Sequence, residues 1–316
     1  MKEGFQGSMS QTFIFSEPAS AEPTAPPAHA LYSHQRLAQA YPGLDRLAFD
    51  SFSAVCEAHG DETSRIDTLL RRLDNLVDLN QLRNVVVIGC GPKPQSIKLL
   101  QEKYHVVVGI EPVPSFVGSA REYLGSAQSV VEGAAEAIPL PDGSQQIVFC
   151  YSVLEHVVSP SKSLDEMFRV LSPGGIAIIQ TTNKLRISPT GWNGEYRVPF
   201  FNWLPDLVKE CFIFQHLHYD PRLANYSQLP AVHWFSYASL CALGRQAGFA
   251  RFYSLLDLVD ENDSAVRNSK FKKWLLKKGK FNPWLRALIL TQRGDTIIML
   301  KLGAGLGAQA ARLLHS

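Results

Sequence analysis

Hydrophobic spacing divides this chain into zones. Between Leu31 and Leu82 apolar residues recur at helical intervals, most regularly in RIDTLLRRLDNLVDL, where Ile66, Leu69, Leu70, Leu73, Leu76 and Val77 share one face. Thr63 stands where a cap for that helix is expected. From residue 83 the period shortens. The runs VVVIG, HVVVGIE, SVVEG, QIVFCY and GIAIIQTTN have the length and β-branched content of strands, each separated by a loop or a helix. PQSIKLLQEKY follows the first strand, and SPSKSLDEMFRVLSPGG follows the fourth with Ser163 as its candidate cap. This alternation predicts a sheet with helices on both faces.

After Asn183 the alternation stops, and residues 184–235 form an aromatic-rich insertion. Regular patterning then resumes with the helix SYASLCALGRQAGF, closed by Gly248, and two closing strands, RFYSLLDL and DTIIMLKLG. The expectation is an α/β fold: a Rossmann-like, seven-stranded, mostly parallel sheet. The predicted organisation is a flexible tail over 1–30, a helical cover over 31–82, a sheet core over 83–183 and a lid insertion over 184–235. Residues 236–303 complete the core, with a basic amphipathic segment at 267–288, and 304–316 form a loosely held tail. The first tail is assigned on composition, because SEPASAEPTAPPAHA lacks the apolar residues needed to offset the entropy of ordering.

Composition narrows the class. With 316 residues, 46% of them apolar, the chain can build a sizeable core. A net charge of +2 excludes the strongly basic signature of a nucleic-acid protein, so no nucleic-acid partner is expected. Five dispersed cysteines without a CxxC pair fit reduced thiols. No secretory leader pattern and no apolar run of about 18 residues is visible, which predicts a soluble cytoplasmic protein.

Val85 to Ile88 form a β run, Gly89, Cys90 and Gly91 a tight turn, and Pro92 opens the next segment. Glycines let the backbone approach a ligand that a Cβ would hold off, and amides at a helix start favour electron-rich atoms. A GxG turn alone is common to many strand-to-helix links. It gains weight from Glu111, which ends the second strand 20 residues after Gly91, the offset at which an acid accepts hydrogen bonds from ribose hydroxyls.

The block EGAAEAIPLPDGSQQIVFCYSVLEHVVSPSKSLDEMFRVLSPGGIAIIQTTN resembles class I methyltransferases of the ubiquinone and menaquinone type. AEAIPLPDGS, YSVLEHV and RVLSPGGIAII, in this order, carry the likeness. The resemblance implies S-adenosyl-L-methionine as cofactor and a sheet with a reversed last strand. Carried over by position, it places Gly89, Cys90 and Gly91 beside the methionine part and Glu111 with Pro112 at the ribose. Ala135 and Glu136 would flank the adenine, and Tyr151 and Ser152 would face the sulfonium. The chain departs from the family where Val87, Ala134 and Gln146 replace usual acids and Lys93 replaces a glycine. Three absent acids predict a weakened hold on the cofactor.

Methyl transfer from a sulfonium is an in-line displacement that needs alignment and, for a protonated acceptor, a base. His156 in LEHV is the candidate base, with packing as the competing role. Glu155 either orients a substrate cation or caps the following turn. His216 and His218 form an HxH without accompanying carboxylates, so no metal is expected. The insertion would supply an apolar acceptor pocket, with Tyr196, His233 and Trp234 as candidate contacts; a self-contained core is the other reading of its aromatics.

The expected function is methyl transfer to an oxygen, nitrogen or carbon atom of a small-molecule acceptor, lipid-linked and glycan precursors included. The alternatives are a non-catalytic regulatory protein of the same fold and a peripheral membrane adaptor. The last rests on residues 270–286, where Lys270, Lys272, Lys273, Lys277, Lys278, Lys280 and Arg286 interleave with Phe271, Trp274, Phe281 and Trp284 without one acid. Gly279 and Pro283 would interrupt a long helix there, leaving a solvated loop and helix as the other reading.

Overall fold

The computed structural model describes residues 62–73, 83–189, 195–213, 217 and 230–303. The expected tails at 1–30 and 304–316, the rest of the expected cover with Leu76 and Val77, and His216 and His218 lie outside the described residues.

Seven strands form one sheet: β1 (Asn84–Ile88), β2 (Val106–Glu111), β3 (Val130–Glu132), β4 (Gln145–Tyr151), β5 (Leu171–Gln180), β6 (Arg251–Ser254) and β7 (Thr296–Leu300). Their order is β3-β2-β1-β4-β5-β7-β6, with β1 to β5 parallel and β7 antiparallel to both of its neighbours. Chain direction across the sheet reverses between β1 and β4, which opens a crevice at the carboxyl ends of those strands.

The described helices are α1 (Glu62–Leu73), α2 (Gln95–Gln101), α3 (Pro114–Leu124), α4 (Pro160–Val170), α5 (Asp206–Phe212), α6 (Tyr237–Gln246), α7 (Leu255–Leu258), α8 (Lys270–Phe281) and α9 (Pro283–Arg293). Side-chain alternation along the strands splits the core into two layers. Val85, Val87, Ile147, Phe149, Ile176 and Ile178 pack with Ile66, Leu70 and Leu73 of α1 and with α2 and α3. Val86, Ile88, Val148, Cys150, Ala177 and Ile179 pack with Leu164 and Met167 of α4 and Leu240 of α6. Burial on both faces explains why VVVI and IAII read as unbroken apolar runs rather than alternating ones. α1 is fastened by Arg72, which donates from Nε and Nη2 to Asp263 at 2.6 and 2.9 Å.

Four local expectations are corrected. Ser159, not Ser163, caps α4: its hydroxyl accepts from Lys162 N, while Pro160 occupies the first helical turn and Ser163 lies inside the helix. Thr63 falls within the first turn of α1 rather than ahead of it. RFYSLLDL is a strand only through Ser254. There Asp257 Oδ2 accepts from both Ser254 N (2.7 Å) and Ser254 Oγ (2.8 Å), a reciprocal cap that turns the chain into α7. Gly279 does not interrupt α8; it sits inside the helix, where a Cβ would meet Ile289 of α9, and the break comes at Asn282 before Pro283.

The three sequence blocks that carry the family resemblance touch one another. Arg169 of α4 donates to the carbonyls of Ile138 (2.8 Å) and Leu140 (2.9 Å), and Glu166 accepts from Ile138 N at 2.8 Å. Glu136 in turn accepts from Val158 N at 2.8 Å, ahead of the same helix. Among the described residues no helix is long and apolar enough to cross a membrane.

Candidate active site

β1 ends in Gly89 and Gly91, both with left-handed backbone (φ +64° and +67°), a conformation that glycine adopts without a Cβ penalty. Space reinforces this at Gly89, where a Cβ would strike Val153 of the loop after β4. The turn is pinned to β2 because Gly89 N donates to Ile110 O at 2.7 Å. Glu111, the last residue of β2, is buried, and its carboxylate accepts from Gly91 N at 2.9 Å and Val113 N at 3.1 Å. Burial outweighs these two bonds and pushes its pKa up to about 7. The acid expected at the ribose therefore lies against the glycine turn and holds it.

A narrow cavity opens beside this turn, lined by Gly89, Cys90, Ser96, Phe149, Tyr151 and Ile66 of α1. Val87, where the family carries an acid, also lines it and is part of the apolar core. Gln146 lies at the start of β4, away from the glycine turn, and accepts from Arg83 N at 2.6 Å. Of the expected adenine neighbours, Ala135 is buried, and Glu136 accepts the backbone bond from Val158 described above.

At the end of β4, Tyr151 is half-buried and packs edge-on to Phe149. Ser152 holds φ +51°, a left-handed value for a residue with a side chain, and its N–H donates to Gln180 O at 2.9 Å. Such strained backbone is tolerated where surrounding contacts over-determine it. The chain then delivers Glu155 and His156 under the insertion. His156 Nε2 lies 3.8 Å from Glu195 Oε2.

Glu155 is an internal strut rather than a substrate contact or a turn cap. Its carboxyl accepts from Thr181 Oγ1 at 2.6 Å, and its carbonyl accepts from Val232 N at 2.8 Å and His233 N at 3.2 Å. Burial raises its pKa to about 7. Burial, and then the neighbouring Glu155 charge, raises Glu195 well above the usual carboxylate range. Two desolvated carboxyl groups this close cannot both ionise near neutrality, so they retain a proton between them.

Ligand atoms of Glu155, His156 and Glu195 all lie within 4.8 Å of one another, an arrangement of donors that could also hold a divalent cation. Sequence reasoning missed Glu195, which is 40 residues from Glu155 and carries no motif of its own.

The residues expected to touch the acceptor are placed differently. Tyr196 and Trp234 are buried with Phe201, Ile213, Leu217 and Ala231 in the insertion's own core. Lys209 lies over the Trp234 ring at 4.1 Å, with its ammonium 2.7 Å from Asp206. Only His233 faces the β4 loop, with Nε2 2.9 Å from Val157 O.

Also unforeseen is the role of the β5 terminus, where three consecutive side chains each tie a different element. Thr181 holds Glu155, and Thr182 Oγ1 donates to His233 O at 2.8 Å. Asn183 Nδ2 donates to Leu290 O (3.3 Å) and Thr291 O (3.1 Å) of α9. Asn202, fully buried, fastens the start of the insertion by donating to the carbonyls of Asn183, Lys184 and Arg186.

The strand order with its reversed β7, and a glycine turn answered by a buried acid on β2, define a Rossmann-like α/β sheet with its crevice at the carboxyl ends of β1 and β4. Residues 86–179, within the sheet core, match the family model of the methyltransferase domain.

Among curated relatives, a Mycolicibacterium smegmatis protein named "Probable S-adenosylmethionine-dependent methyltransferase" is 30% identical over 34% of this chain and 41% of its own length. A trans-aconitate 2-methyltransferase of Delftia acidovorans is 30% identical over 33% of this chain and 40% of its own. A ubiquinone biosynthesis O-methyltransferase of Sodalis glossinidius is 31% identical over 40% of this chain and 50% of its own. The chain thus spans half or less of the length of these relatives. A solved S-adenosylmethionine-dependent methyltransferase from Mesorhizobium loti superposes with a TM-score of 0.44 at 14% identity, covering 73% of this chain and 94% of that one.

Proposed function

We propose that this protein transfers the methyl group of S-adenosylmethionine to a small-molecule acceptor that must lose a proton, a hydroxyl or an ammonium group. The observation that carries the reading is the buried Glu111 carboxylate set against the Gly89 to Gly91 turn at the crevice between β1 and β4. The residues present fit the cofactor: the backbone cradle leaves no room for a Cβ at Gly89, and Glu111, held by Gly91 N and Val113 N, offers carboxyl oxygens to ribose hydroxyls. Gly89 and Gly91 would hold the methionine part and Glu111 the ribose, with Ala135 and Glu136 toward the adenine. When bound, the cofactor supplies an electrophilic methyl on a sulfonium.

Tyr151 and Ser152 align the acceptor at the mouth of β4, where orientation accounts for much of the rate. His156 removes the acceptor's proton, and the Glu195 carboxyl, 3.8 Å from its Nε2, positions the ring. The Glu155 and Glu195 carboxyls make this wall acidic, which disfavours an anionic acceptor such as a carboxylate and favours a neutral hydroxyl or a cation. Lipid-linked and glycan precursors bearing free hydroxyls fall in this class.

Calorimetry with S-adenosylmethionine and S-adenosylhomocysteine tests the reading. Binding in the micromolar range is expected, and no binding at millimolar ligand sinks it. Methyl labelling of a cell extract then identifies the acceptor, which is expected to carry the label on oxygen or nitrogen.

A further inference from the structure

α8 and α9 form a helical hairpin whose outer face is left open to solvent. At about 100° per residue, Phe271, Trp274 and Phe281 fall on one stripe of α8 together with Lys270, Lys277 and Lys278. All six are exposed, and the ammonium groups of these three lysines make no hydrogen bond or ion pair among the described residues. The opposite stripe carries Leu276 and Gly279, which are buried. The aromatic stripe continues past the turn: Phe281 is 84% exposed, Trp284 86% and Leu288 63%. From Ser269 to Gly294 the sequence contains no acid.

The hairpin is held in this attitude from its other side. Arg286 grips Asp257 through two bonds of 2.6 and 2.7 Å, Lys280 donates to Val259 O at 2.8 Å, and Lys272 donates to Ala265 O at 3.1 Å. The ammonium groups of Lys272 and Lys280 are thus bonded to backbone carbonyls, whereas those of Lys270, Lys277 and Lys278 lie on the stripe of exposed rings. Large apolar side chains left this open, rimmed by one sign of charge, mark an interaction surface.

We propose that this hairpin docks the protein on an anionic lipid surface, with Trp274, Phe281 and Trp284 in the boundary between headgroups and acyl chains and Lys270, Lys277 and Lys278 against lipid phosphates. A nucleic acid is disfavoured, because a net charge of +2 lacks the strongly basic balance of a nucleic-acid-binding chain and the exposed stripe interleaves its lysines with large apolar rings. The inference stands independently of methyl transfer.

The test is flotation of the full chain with vesicles of phosphatidylcholine alone or mixed with phosphatidylglycerol, paired with Trp fluorescence. Recovery is expected with the anionic vesicles, reduced by high salt, together with a blue-shifted emission that brominated acyl chains quench. A lysine near an anionic surface contributes about fivefold in partitioning, so K270E/K277E/K278E is expected to weaken binding by at least about a hundredfold. W274A/F281A/W284A is expected to lose both the blue shift and the quenching. These side chains are exposed, so both variants keep the native unfolding midpoint, which separates lost docking from lost folding. Equal recovery on neutral and anionic vesicles overturns the proposal. So does undiminished recovery of the charge-reversed chain, or capture by a short RNA in place of vesicles.

Discussion

Thr181 Oγ1 donates a 2.6 Å hydrogen bond to the buried carboxyl of Glu155, joining the end of β5 to the loop that follows β4. The bond satisfies an oxygen that burial would otherwise leave stranded, and it fixes the backbone from which His156 is presented. Thr181→Val keeps the shape and removes the donor. The expected loss is about 1–3 kcal/mol of stability in denaturant unfolding, with Thr181→Ser close to native. An unchanged midpoint for the valine variant would show that the bond holds nothing.

Stability should fall as pH rises through neutrality. Burial raises Glu155 from an ordinary 4.5 to about 7, so the folded chain binds this proton more tightly than the unfolded one. A raised carboxyl contributes its full stability below the unfolded value and loses it as pH climbs through the folded value. Glu111, raised in the same direction to about 7, adds to the trend. The expected loss between pH 5 and 8 is at most about 3 kcal/mol for each fully buried group. Thermal midpoints should be higher at pH 5 than at pH 8, and Glu155→Gln should flatten the difference. A native midpoint that climbs over this range contradicts the assignment.

Glu111 gives cofactor affinity its own pH dependence. Ribose hydroxyls donate to an ionised carboxylate, whereas the free protein holds Glu111 near half-protonation at about pH 7. Binding then requires release of a proton, and the dissociation constant should rise by up to about tenfold per unit below pH 7. Glu111→Ala should weaken S-adenosylmethionine strongly and abolish this slope. An affinity unaffected by the substitution would place the ribose elsewhere.

Gly89→Ala forces a Cβ into Val153 at a left-handed backbone angle. We expect a loss of about 1–3 kcal/mol, because strain and overpacking act together. Adding Val153→Ala should recover only the steric part. Full recovery would show that the φ of +64° costs nothing.

The sheet was legible because its signals are local. VVVIG, HVVVGIE and QIVFCY declare buried strands by composition alone, and Glu111 was found by its offset from Gly91. What escaped was whatever depends on residues meeting across the fold. Glu195 enters the site from the insertion, and nothing in WNGEYR announces it. Asn183 read as the end of a strand, yet its amide reaches carbonyls more than 100 residues away in α9. Ser163 and Ser159 are both capping residue types, and Ser159 followed by Pro160 is the stronger signal. Tyr196 and Trp234 illustrate a different loss: aromatic content suggests a pocket and a core equally, and here those rings pack on Phe201.

The position of β7 has a bearing on how the protein is made. Residues 296–300 slot between β5 and β6, whereas every other described strand of the sheet precedes them in the chain. While a ribosome is still threading residues 255–295, Ile176 to Gln180 present an unpaired strand edge, apolar on both faces. Such an edge recruits other nascent chains. Truncation before Thr296 should therefore yield inclusion bodies rather than a smaller folded protein, and slow translation over α8 and α9 should lengthen the dependence on chaperones.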